Sequence, residues 1–295
     1  IRDAQESRGL GDVYKRQMRV FAFSASKGGT GKTTTAVNFA YRLNQVGIRT
    51  LLMGFDVPDD IGVILGLPRQ PNSLNFFRRP GRSGFAASVQ ETKYGMEVVL
   101  SPNDHVEAAR IAQRKPEEEG SIARLVEAAR DHHPPYAAIV MDLPPTETEW
   151  SIQPMMRANT VILVVQPSVP DEVKLIETVR LLTGVLDERY RVPKEAIYVV
   201  LNGVTGDDNI TPQIFQEAVR EYLNGYAPPV LSTIPFQSRV RPLQNRGVLP
   251  VTSLDDYGRA VDHMVDFFYR DALGKSASAA AGRHRSLLPI KLKFT

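Results

Sequence analysis

The stretch Lys27-Gly28-Gly29-Thr30-Gly31-Lys32-Thr33-Thr34 decides the fold of this chain. Ahead of it, Arg19–Ser24 reads as a buried strand. Behind it, Thr33–Gln45 places Val37, Ala40, Tyr41 and Leu43 on one helical face, and Gly47 is a helix stop. A strand, a glycine-rich turn and a helix are the setting in which backbone N–H groups and a helix N-terminus converge on phosphate. Gly28, Gly29 and Gly31 remove the Cβ atoms that would block close backbone approach. Lys32 then supplies a point charge for the terminal phosphates, Thr33 a hydroxyl for Mg2+, and Thr34 a contact to the α-phosphate.

The ordinary phosphate loop, G-x-x-x-x-G-K-[ST], fails here at one position, where Ser26 replaces the first glycine. The match is to a deviant form, K-G-G-x-G-K-T, which opens on the additional Lys27. This string resembles the ParA/MinD family, in the wider group that holds nitrogenase reductase and the arsenite-pump ATPases. The resemblance extends over roughly Met18 to Leu273 and is weakest between motifs. It implies ATP and Mg2+ as cofactors, an ATP-dependent homodimer, and slow, partner-stimulated hydrolysis. It also implies that Lys27 reaches across the dimer to the partner's ATP, adding a cation where charge develops on the transferring phosphoryl group.

Working outward, apolar strands are expected at Arg49–Phe55, Met96–Leu100, Ala137–Met141, Thr160–Val165, Ala196–Leu201 and Val230–Ile234. Between them, helices are expected at Asn103–Arg114, Ser121–Arg130, Asp171–Leu186 and Pro212–Leu223; Val240–Asn245 and Leu254–Leu273 follow. Asp56-Val57-Pro58-Asp59-Asp60 reads as a turn, and Leu67–Thr92 as loop with a short helix. Such alternation predicts an α/β fold: a doubly wound, mostly parallel sheet with helices on both faces, as in P-loop NTPases. Ligand sites in these folds lie beyond the carboxyl ends of the strands, where the motifs fall.

Further site residues follow from the resemblance. Asp142, closing a strand ahead of Leu143-Pro144-Pro145, resembles the acid of the family's D-x-P-P segment and is expected to hold Mg2+ through water. Asp56 stands where the family orients the attacking water, although the family's D-x-D has become Gly54-Phe55-Asp56. Asn202 is placed to read the adenine edge, and Pro235 resembles the I-P segment beside the base. Arg220, Arg239, Arg241 and Arg246 are candidates for nonspecific, salt-dependent DNA binding.

Composition narrows the function. The 295 residues contain no cysteine, which excludes disulfides, thiolate zinc sites and the iron–sulfur branches of the wider group. The net charge of +3 is a mild excess rather than that of a dedicated nucleic-acid binder, and no apolar run is long enough to span a bilayer. The expected location is cytoplasmic. Residues 1–17 read as a translated adapter leader that is not native, residues 18–275 as one ATPase domain, and 276–295 as a flexible basic tail in which Pro289 interrupts any helix. The expected function is a ParA-like switch that partitions or positions DNA or other cargo, with an ATPase-stimulating partner protein. The alternative is a MinD-like or pilus-positioning regulator at the membrane or cell pole, for which the tail segment 283–295 would be the anchor.

Overall fold

The computed structural model describes residues 18–25, 27–57, 59–145, 148–185, 191–208 and 210–273. The leader and tail readings lie outside them. Among the described residues eight strands are formed: β1 (Arg19–Ser24), β2 (Thr50–Gly54), β3 (Val89–Glu91), β4 (Glu97–Val99), β5 (Ala138–Asp142), β6 (Thr160–Val165), β7 (Ile197–Val204) and β8 (Val230–Pro235). They make one sheet in the order β3-β4-β2-β5-β1-β6-β7-β8, parallel except for the β3–β4 pair. Every residue of β2, β5 and β6 is buried, because helices cover both faces; this is why those strands read as continuous apolar runs.

Six helices matter for the site: α1 (Lys32–Gln45), α2 (Asp60–Leu65), α3 (Val169–Arg180), α4 (Pro212–Tyr222), α5 (Val240–Gln244) and α6 (Asp255–Leu273). Side chains alternate along each strand between two layers. Phe21 and Phe23 of β1 face the layer of α1 and α6, whereas Val20 and Ala22 face that of α3 and α4. Helix α1 is fastened to α6 by Arg42 Nε on Asp262 Oδ1 at 2.5 Å, and Phe268 packs edge-on against Phe21 at 5.0 Å and Phe39 at 6.4 Å.

Central β1 pairs with β5 on one side and β6 on the other, with Phe23 opposite Asp142 and Ser24 opposite Leu163. The winding reverses at β1, so the crevice beyond its carboxyl end is the place where such a sheet offers a ligand site. Several elements differ from the expectation. Strand β3 adds an antiparallel edge inside the presumed loop, and α2, which was not expected, begins at Asp60, the last residue of the expected turn, where Asp59 caps it by accepting from Ile61 N at 2.8 Å. Helix α3 starts two residues early, on the Ser168 cap with Pro170 in its first turn, and passes into a π-helical turn at Leu181–Val185.

Candidate functional site: a phosphate cradle

Between β1 and α1 the backbone takes positive φ at Gly29 (81°) and Gly31 (87°), a conformation that only glycine adopts without strain. Gly31 caps α1, with no side-chain cap and no acid in the first turn. The first backbone bond of the helix runs from Thr35 N to Gly31 O at 2.9 Å, so the earlier amides have no helical partner. A Cβ on Gly28 or Gly29 would meet nothing within 4 Å, so the space in front of this cradle-shaped turn is open. The loop is braced from behind. Asn202 Nδ2 donates to Thr30 O at 2.6 Å, and Gln166 Nε2 to Gly29 O at 3.4 Å. Thr30 Oγ1 is buried without a hydrogen-bond partner.

Lys32 is buried at the floor of the cradle. Its Nζ lies 2.7 Å from Asp142 Oδ1, 3.4 Å from Thr33 Oγ1 and 3.7 Å from Asp56 Oδ2. Burial pushes the Asp142 carboxyl above the usual carboxylate range, against the pull of Lys32 and Thr33. Thr33, Asp142 and Asp56, predicted from separate parts of the sequence, thus converge on Lys32. Among the described residues no three His, Asp or Glu side chains gather into a ready-made cation cage. Thr33 Oγ1 and Asp142 Oδ1, both beside Lys32 Nζ, are hard oxygen donors of the kind that suits Mg2+, Asp142 through water.

The loop ahead of α2 is held by Ser101, whose hydroxyl donates to Asp56 O and whose N–H donates to Asp59 Oδ2 at 2.7 Å. Burial pushes the Asp59 carboxyl up to about 6, although three backbone N–H groups favour its ionised form. A Cβ on Gly54 would stand 3.1 Å from Asp59 Oδ2. The space that the earlier acid of a D-x-D would need is occupied by Asp59, which gives the departure at Gly54 a physical reason.

Lys27, at the mouth of the loop, sits 2.9 Å from Asp171 Oδ2. Asp171 is fully buried; its Oδ2 also accepts from Ser168 Oγ at 2.5 Å, and its Oδ1 has no hydrogen-bond partner. Its local signal is the Ser168-Val169-Pro170-Asp171 helix start, but its pairing with Lys27 is not readable locally. Gln244 was missed as well: its Nε2 donates to Thr34 Oγ1 at 2.8 Å. Asn202 lies in β7 with its amide engaged by the loop, and Pro235 ends β8 beside Val204. The four arginines do not form one patch. Arg220 is exposed on α4, against one face of the sheet, whereas exposed Arg239, Arg241 and Arg246 surround α5, which packs through Val240 and Leu243 on the other.

A family model described as an AAA domain matches residues 18–188. An ATP-binding protein of Methanocaldococcus jannaschii is 26% identical over 178 residues, which is 56% of this chain and 63% of that one. The chromosome partitioning protein ParA of Caulobacter vibrioides is 26% identical over 184 residues, 59% of this chain and 67% of its own. The matched segment thus spans about two-thirds of these relatives' lengths. Among solved structures, the cell division ATPase MinD of Pyrococcus furiosus shares the fold with a TM-score of 0.69 at 17% identity, covering 87% of this chain and all of that one.

Proposed function

We propose, for a chain that belongs to the ParA/MinD family of AAA-domain P-loop ATPases, an ATP-driven dimerisation switch of the ParA kind that hydrolyses ATP and positions DNA or other cargo. The observation that carries this reading is the pair of loop lysines, each held by its own carboxylate. Lys32 rests on Asp142 inside the cradle and Lys27 on Asp171 at its rim. A bound triphosphate offers Lys32 a stronger anion than Asp142. Asp142, so released, would hold Mg2+ together with Thr33, through water. That ion, when bound, neutralises the phosphate oxygens.

Lys27 is 42% exposed and can leave Asp171 for the phosphates of a second copy, which makes the closed pair depend on the third phosphate. Asp56, less buried than Lys32 and 3.7 Å from it, is placed to orient the attacking water. With Gly54 in place of the earlier acid of the D-x-D, hydrolysis is slow until a partner protein completes the site.

Light scattering on sized protein, with ATP, ADP or no nucleotide, tests the switch. An Asp56→Ala chain that stays monomeric in saturating ATP would refute it. Co-sedimentation with DNA and with liposomes in the same three states tests the surface. DNA pelleting only with ATP supports the ParA reading, liposome pelleting alone transfers it to the MinD-like alternative, and pelleting with neither removes both.

A further inference from the structure

We infer that Gln244 is a positioning residue for the nucleotide's α-phosphate, acting through Thr34. The inference rests on the proposed nucleotide site and goes beyond it by assigning a residue that no loop motif contains. Gln244 closes α5, far from the phosphate loop in sequence, and its Nε2 reaches Thr34 Oγ1 at 2.8 Å. A hydroxyl has one proton to give and accepts on its oxygen. Accepting from Gln244 satisfies the Thr34 oxygen and leaves its proton to be donated to a phosphate oxygen. Without Gln244 the hydroxyl is free to rotate and to turn its proton elsewhere.

Thr34 is held from its backbone as well. Asn38, fully buried, donates from Nδ2 to Thr34 O at 2.7 Å and accepts from Val251 N at 3.0 Å on Oδ1. The chain just beyond α5 is tied down too: Lys93 Nζ reaches Gly247 O at 2.9 Å. Gln244 therefore approaches Thr34 from a segment fixed at Gly247 and Val251, so the amide is pre-oriented rather than carried on a free loop. Such fixing is what makes a single hydrogen bond useful for binding, because less freedom is lost when the ligand arrives.

The test is calorimetry of MgATP and MgADP binding to wild type, Gln244→Ala, Gln244→Glu, Thr34→Val and the Thr34→Val/Gln244→Ala double variant, with melting of each nucleotide-free chain as a control. Both nucleotides carry the α-phosphate, so Gln244→Ala is expected to weaken both alike, by about five- to tenfold, the scale of one oriented hydrogen bond. Gln244→Glu is expected to weaken them more, since a carboxylate takes the Thr34 proton for itself and adds a charge that repels phosphate. In the Thr34→Val background the Gln244→Ala change is expected to cost nothing further, a coupling that a merely structural role would not produce. An undiminished loss in that background, a loss confined to ATP, or Gln244→Ala binding within twofold of wild type overturns the inference alone. A wild-type chain that binds no nucleotide overturns the proposed function and this inference with it.

Discussion

Replacing Lys32 with alanine should destabilise the chain even when no nucleotide is near. In the resting site Lys32 is the counter-ion of Asp142; their atoms are 2.7 Å apart and their side chains are 6% and 2% exposed. Removing one member of a buried pair leaves the other charge without compensation, at a cost of about 3–5 kcal/mol. For a domain of this size each kcal/mol moves the melting temperature by roughly 2–4 °C, so Lys32→Ala should melt roughly 6–20 °C below wild type. The sign with pH is fixed by Asp142. Burial already raises its carboxyl above the ordinary value, and such a group stabilises fully below the unfolded value and loses that contribution as pH rises through the folded one. Without Lys32 the folded value rises further, so the gap between variant and wild type should widen from acid toward neutral pH. Thermal melts of nucleotide-free protein between pH 5 and 8, with Lys32→Ala/Asp142→Asn as the compensated control, measure this. A gap under 2 °C at pH 8, or one that does not change with pH, would refute the reasoning.

Other outcomes follow from the same geometry. Gly31→Ala should cost ~2–4 kcal/mol in chemical denaturation, from left-handed strain and from a Cβ placed 2.2 Å from Asn202 Nδ2; adding Asn202→Ala should relieve only the second part. Asp56→Ala should retain MgATP binding while turnover falls by about a hundredfold or more, as expected for loss of a group that orients the nucleophile, and phosphate release assays read this directly. The stability difference between wild type and Asp59→Asn should shift toward the variant between pH 4 and 7. The Asp59 carboxyl, pushed up to about 6, contributes most below the ordinary carboxylate value and loses that contribution as pH passes 6; urea titrations at each pH follow the trend.

The central sheet was legible because its strands are buried on both faces. Thr160–Val165 carries no residue that would break the run, and the observed β6 has those same bounds. Edge strand β3 was not legible: it has three residues, two of them polar, and its pairing with β4 supplies what its own pattern lacks. At the site, the residues of the glycine-rich loop were legible because their motif lies within one short stretch of chain. The contacts that hold those residues were not. Asn202 bracing Thr30, Asp171 holding Lys27 and Gln244 meeting Thr34 are made between segments far apart in sequence, and side chains brought together only by folding leave no period to read. The arginines named together as candidates are divided by the sheet, with Arg220 on one side and Arg239, Arg241 and Arg246 on the other.

The clasp between α1 and α6 bears on how the molecule is made. The helix that opens on Lys32 is synthesised well ahead of its partners, since Arg42, Phe39 and Phe21 meet theirs at Asp262 and Phe268. A nascent chain leaving the ribosome carries the whole glycine turn long before the helix that steadies it has been translated. A chain cut short before residue 268 would have the motif without that support.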